Sequence, residues 1–146
     1  MKKRVWSLLL IIPLGVIALF LLIQAVPYGR QHVNPPVVQE PKWASPEMRA
    51  MTQRACFDCH SNETVWPWYS NVAPVSWLVQ HDVEEGRSKV NFSEWDASVE
   101  VDEIIEVLQD GEMPPLQYFP MHPEAKLSDA ERTQLVDGWK QVMTSK

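Results

Sequence analysis

Apolar side chains recur with helical spacing in four stretches after residue 45, and no stretch alternates between apolar and polar residues as a strand would. Ser45, as N-cap, and Pro46, as first helical residue, open a helix that runs into Cys56. A second helix is predicted to begin at Pro74 and to stop at Gly86.

The third helix is predicted to begin near Ser98 and to end at Gly111, and a Ser128–Glu131 capping box opens the fourth. These patterns predict an all-α domain with long connections rich in Pro and Trp. The inward faces expected in the four helices are Met48, Met51 and Ala55; Val75, Leu78, Val79 and Val83; Val101, Ile104, Ile105 and Leu108; and Leu135, Val136, Trp139, Val142 and Met143.

An uncharged, mostly aliphatic run from Val5 to Val26 follows the basic triplet Lys2-Lys3-Arg4. Its length predicts a single transmembrane helix, a signal-anchor over residues 1–26, and the basic triplet predicts that the rest of the chain lies on the exported, periplasmic side of the cytoplasmic membrane. A cleaved signal peptide is the alternative, but the run is long for one and lacks a small-x-small site at its end.

The remainder divides into a Pro-rich tether, residues 27–45, and one globular domain, residues 46–146. The formal net charge is −6, with 13 basic and 19 acidic residues. An acidic surface argues against nucleic acid as a partner and is compatible with a basic protein partner, whose identity the sequence does not indicate.

Both cysteines of the chain fall in Cys56-Phe57-Asp58-Cys59-His60, hereafter the CXXCH motif. This motif is typical of c-type haem attachment, in which two thiols form thioethers with the haem vinyl groups and the histidine binds the iron. The prediction is one covalent haem c per chain. The remaining ring N–H of His60 would need an acceptor, and the carbonyl of Pro74 is the candidate.

Three other interpretations of the motif remain. A disulfide would close so small a ring that it would add little stability. A thioredoxin-like redox pair would need a strand–helix–strand pattern around the motif, and a zinc site would need a fourth ligand.

The second axial ligand decides between electron transfer and ligand binding. Met113 is the first candidate because Pro114 and Pro115 stiffen the chain directly after it. Met121 and His122, in a similarly stiff loop, are the alternatives, together with an open site. In addition, the rings of Trp66, Trp68 and Tyr69 are candidates to line the haem edge or to donate hydrogen bonds to its propionates, although a packed aromatic loop would have the same sequence.

The residues after the apolar run resemble the haem-binding domain family of small exported proteins related to monohaem cytochromes c. The resemblance extends from Asn34-Pro35-Pro36 through the CXXCH motif to Leu127-Ser128, and it includes Trp66-Pro67-Trp68-Tyr69, Ala73-Pro74-Val75-Ser76-Trp77, Asn91-Phe92-Ser93-Glu94-Trp95 and Gly111-Glu112-Met113-Pro114-Pro115. It implies covalent haem, a cytochrome c-like helical fold and Met113 in the place of the axial methionine.

These observations together predict a membrane-anchored monohaem c-type cytochrome that transfers single electrons, with His60 and Met113 on iron, and favour an electron carrier over an enzyme. The alternative is a haem-based gas or peroxide sensor, or a peroxidase-like protein, with an open or displaceable sixth ligand.

Overall fold

The computed structural model describes residues 2–144, with side chains described from residue 11 onward. Within this range the regular structure is helical apart from one isolated parallel bridge between Gln39 and Glu94, which confirms the all-α prediction. The helices are α1 (Lys2–Ile23), α2 (Pro46–His60), α3 (Val75–Lys89), α4 (Val101–Gln109) and α5 (Asp129–Thr144), with short 3-10 helices at Trp68–Asn71 and Pro123–Ala125.

The predicted transmembrane helix corresponds to α1 and must be corrected. No helix among the residues searched is long and apolar enough to cross a membrane. The predicted anchor lies partly outside the residues with described side chains. This finding contradicts the single transmembrane helix, the membrane as a partner and the single-pass localisation.

The chain forms two compact units. The first contains the residues up to Val33 together with Trp66–Asp82, and the second contains Asn34–Val65 and the chain from Val83 onward. In the first unit, the amide of Gln24 bonds the backbone of Ala73 at both its N–H (3.0 Å) and its C=O (2.9 Å).

The core of the second unit is aromatic and lies among α2, α4 and α5. Trp139, only 1% exposed, packs against Trp43, Phe92 and Trp95 at ring-centroid distances of 5.5–5.6 Å. Apolar burial of this kind is the main source of stability for a small domain. The predicted inward face of α4 is buried at all four of its positions, Val101, Ile104, Ile105 and Leu108.

The local signals for helix ends are confirmed at three sites. The side chain of Ser45 accepts a hydrogen bond from the N–H of Met48, as an N-cap should. Ser128 and Glu131 form the reciprocal capping box, with the Ser128 N–H donating to Glu131 Oε2 at 2.8 Å. Gly111 has a φ of +74°, which is the left-handed conformation expected just after a helix.

One expectation about an element was wrong. Helix α3 continues past Gly86 to Lys89, and its predicted inward residues Val75 and Leu78 are exposed, whereas Val83 is buried. The second half of the predicted tether contacts the second unit: Glu40 forms an ion pair with Arg49 at 2.6 Å, and residues 38 and 39 bond the backbone of Ser93.

Candidate haem site

Helix α2 ends in the CXXCH motif, so its last turn places Cys56, Cys59 and His60 next to one another. The two cysteines are three residues apart and therefore lie on one side of the helix. Neither sulfur takes part in a disulfide. Burial, with a smaller effect of the neighbouring Cys59, raises the pKa of Cys56 to about 12, so this residue is a protonated thiol at neutral pH.

The imidazole of His60 is held by the first residue after α3. Its Nδ1 lies 3.1 Å from the carbonyl oxygen of Val90. A proton on Nδ1 is required for donation to a carbonyl, and the lone pair is then on Nε2. Burial lowers the pKa of His60, although the backbone of Val90 and Gly86 acts to raise it, and this keeps the ring neutral as a metal ligand must be.

The acceptor predicted at Pro74 therefore has to be corrected. Val90 supplies the carbonyl, while the Pro74 carbonyl accepts from the N–H of Trp77 at 3.1 Å within the first turn of α3. A loop position gave no information about which carbonyl would face the ring. Proximity here depends on the packing of α3 against α2, which has no local sequence signature.

Gly86 explains this packing and was misread as a helix stop. A Cβ at this position would stand 2.5 Å from the carbonyl oxygen of Cys59, closer than any side-chain carbon can approach. Only glycine lets α3 approach the motif this closely.

The candidate sixth ligands lie in the same unit as the motif, in the loop after α4. The side chains of Met113 and Met121 are 37% and 56% exposed. The backbone of Met113 is fixed by its N–H to the Val107 carbonyl at 3.3 Å and by its carbonyl to Arg132 Nη1 at 3.3 Å. His122 stacks on Tyr118, with ring centroids 4.0 Å apart and an interplanar angle of 7°.

The aromatic candidates belong to the first unit. Trp66 stacks on His32, with centroids 4.7 Å apart, and His32 Nε2 also lies 3.1 Å from the carbonyl oxygen of Ser70. Trp68 is 75% exposed and meets Tyr69 edge to face at 5.8 Å. Their contacts with a haem remain predictions.

The sequence did not predict a hydrogen bond that joins the motif to a distant loop, between Asp58 inside the motif and Tyr118. The Tyr118 hydroxyl donates to Asp58 Oδ2 at 2.7 Å, although the two residues are 60 positions apart. The position of Asp58 inside the motif was a usable hint, whereas nothing in the sequence indicated its partner.

Comparison with known families gives a match that spans most of the chain. The family is described as the haem-binding domain, and its match covers residues 18–141, including the whole CXXCH motif. Comparison with curated proteins and with solved structures returns no match. The extent of the family match confirms the resemblance inferred from the sequence, and the chain belongs to the haem-binding domain family.

Proposed function

We propose that this haem-binding protein is a monohaem c-type cytochrome that transfers single electrons. Cys56 and Cys59 would hold the haem through thioethers, and His60 would be the axial ligand through Nε2. Haem supplies the one-electron couple of its iron. The chain supplies the ligands and the hydrogen bonds that orient them.

The arrangement around His60 is the observation on which this proposal depends. A haem-ligating histidine needs a neutral ring, a fixed tautomer and an acceptor for its second nitrogen. The bond from Nδ1 to Val90 meets the last two needs, and the lowered pKa of the buried ring meets the first.

The burial of Cys56 argues against this residue as the attacking thiol of a thiol–disulfide exchange. That reaction needs a thiolate, and the attacking cysteines of such proteins have pKa values lowered to near or below neutral pH. With a pKa of about 12, Cys56 has the opposite property.

We further propose Met113 as the second axial ligand. Its backbone is tied on one side to α4 through Val107 and on the other to α5 through Arg132, which limits the positions its thioether can reach. Thioether ligation raises the reduction potential relative to bis-histidine ligation, as suits an electron carrier.

The first experiment asks whether the haem is covalent. The protein is produced in a host that attaches haem c, and haem staining after denaturing electrophoresis is expected for wild type and lost in the Cys56→Ala, Cys59→Ala double variant. A colourless wild-type product with two titratable thiols would refute the proposal.

The second experiment identifies the sixth ligand. Ferric wild type is expected to show the weak far-red absorption of methionine-ligated haem, and Met113→Ala is expected to lose it. Met121→Ala is the matched control, because this methionine lies in the same loop and is more exposed. Loss of the far-red band in Met121→Ala, but not in Met113→Ala, would identify Met121 as the sixth ligand.

The alternative function is a haem site that binds gas or peroxide, in which the sixth position is open or is occupied by a displaceable ligand. Rapid binding of carbon monoxide by the untreated ferrous protein would favour that function over electron transfer, and absence of binding would count against it.

A further inference from the structure

Asp58 connects the CXXCH motif to two other segments of the second unit. Its Oδ1 accepts from the N–H of Val65 at 2.9 Å, and its Oδ2 accepts from the Tyr118 hydroxyl at 2.7 Å. Its backbone carbonyl accepts from Thr64 Oγ1 at 2.8 Å. Both carboxylate oxygens are therefore used, and the one bond that reaches a distant part of the chain goes to Tyr118.

Tyr118 in turn organises the loop that follows Gly111. Its N–H donates to the Pro115 carbonyl at 3.0 Å, and its own carbonyl accepts from the N–H groups of Met121 (3.3 Å) and His122 (3.1 Å). The stacking of its ring on His122 adds a side-chain contact. Residues 115–122 thus form a compact turn around Tyr118.

The loop of residues 111–122, hereafter the ligand loop, contains all three candidate sixth ligands. One end is held by Arg132, whose Nη1 donates to the carbonyls of Leu108 (2.6 Å) and Met113 (3.3 Å). The other end is held by the bond from Tyr118 to Asp58. Only the second of these attachments reaches the motif itself.

We propose that Tyr118 is a positioning residue: its bond to Asp58 holds the ligand loop against the haem-attachment motif and sets how readily the sixth ligand leaves the iron. This inference rests on the proposed function. It is independent of which of Met113, Met121 and His122 is the ligand, because all three lie on the same loop.

The expected size of the effect follows from the strength of such a bond. Hydrogen bonds to a charged acceptor are among the stronger ones in proteins, and removing one should raise the population of the detached loop about tenfold. An external ligand enters only when the sixth position is vacated, so its observed binding rate should rise by the same factor.

Imidazole binding to the ferric haem-loaded protein, followed by stopped-flow absorbance, tests the inference. Tyr118→Phe removes only the hydroxyl and is expected to bind imidazole about tenfold faster than wild type. Asp58→Ala breaks the same bond from the other end and should give a similar increase. Asp58→Ala also removes the bond from the Val65 N–H, so the double variant should be no faster than Asp58→Ala, in which the Tyr118 hydroxyl has already lost its bond to Asp58.

Thr144→Val is the matched control, since it removes a hydroxyl of the second unit outside the ligand loop, whose bond to the Gln141 carbonyl at 3.0 Å is local and exposed, and it should bind imidazole at the wild-type rate. Unfolding by urea is measured on all variants. A fall in unfolding free energy for Tyr118→Phe with an unchanged imidazole rate would show a merely structural bond and overturn the inference.

The same samples distinguish this failure from failure of the proposed function. Wild-type protein that retains haem in denaturing gels while Tyr118→Phe shows the wild-type imidazole rate would overturn the positioning role alone. Wild-type protein without covalent haem would overturn both.

Discussion

Gly86 lies so close to the CXXCH motif that the absence of a side chain is itself a structural requirement. A Cβ there would stand 2.5 Å from the Cys59 carbonyl oxygen and 2.9 Å from the carbonyl carbon. Both are backbone atoms, which cannot move aside as the end of a flexible side chain could. The residue that follows α3 orients His60, since the Val90 carbonyl bonds its ring.

We therefore expect Gly86→Ala to lower the free energy of unfolding by about 1–3 kcal/mol, the usual cost of forcing extra atoms into a packed site. The shift of α3 away from α2 should also weaken the orientation of His60 and alter the haem absorption spectrum. Urea unfolding and absorption spectroscopy of the haem-loaded protein measure the two effects.

Gly15→Ala is the control, because a Cβ there meets no atom within 4 Å. Gly15 lies inside α1, and alanine should stabilise a helix interior by up to about 1 kcal/mol. Equal stability and identical spectra for Gly86→Ala and wild type would show that neither folding nor haem binding requires α3 to lie this close to Cys59.

At the scale of elements, the ends of helices were predictable because their causes are local. Ser45 and Ser128 cap their helices through residues three positions later, and Gly111 supplies the left-handed conformation after α4. Each capping residue lies within a few positions of the helix end that it caps, so a short stretch of sequence is enough to predict that end.

Contacts between distant segments were not predictable in this way. The bonds from His60 to Val90 and from Tyr118 to Asp58 join residues 30 and 60 positions apart, and no periodicity encodes them. The same holds for the first half of α3, where Val75 and Leu78 of the expected apolar face are exposed while Ser76 is fully buried. Local pattern indicated a helix there and predicted the burial of Val83, but not the face that the first turns bury.

The hydrogen bonds at the start of α5 predict that the free energy of unfolding depends on pH. Hydrogen bonds from Ser128, followed by the contact with Arg54, lower the pKa of Glu131 to about 2 from an ordinary value of 4.5. A depressed carboxyl pKa stabilises the folded state above the unfolded-state pKa, and this stabilisation is lost as the pH falls from about 4.5 towards 2. Glu131→Gln should therefore be less stable than wild type at pH 7, with the difference disappearing as the pH approaches 2.

Urea unfolding of both proteins at several pH values between 7 and 2 measures this difference. Asp137→Asn is the control within the same helix, because its contact with Lys140 is exposed and long at 3.5 Å. A difference between Glu131→Gln and wild type that stayed constant down to pH 2 would show that the charge of Glu131 is not its cause.

The whole molecule is acidic, with a formal net charge of −6. A protein of this charge attracts cations and repels anions over a distance of about 30 Å at 0.01 M salt, but over only about 3 Å at 1 M. If the proposed electron transfer takes place at the protein surface, its rate with a small charged oxidant must depend on salt in a direction set by the oxidant's charge.

We expect oxidation of the ferrous protein by a cationic metal complex to slow severalfold as salt is raised, and oxidation by ferricyanide to accelerate. Comparing each oxidant with itself across salt concentrations removes the difference in driving force between them. Glu112→Gln, next to Met113, should reduce this salt dependence more than Asp137→Asn does, because charge close to the point of electron exchange has the largest effect. Equal salt dependence in the two variants would place the point of electron exchange away from the ligand loop. Oxidation rates that do not change with salt for either oxidant would exclude electrostatic steering of the partner.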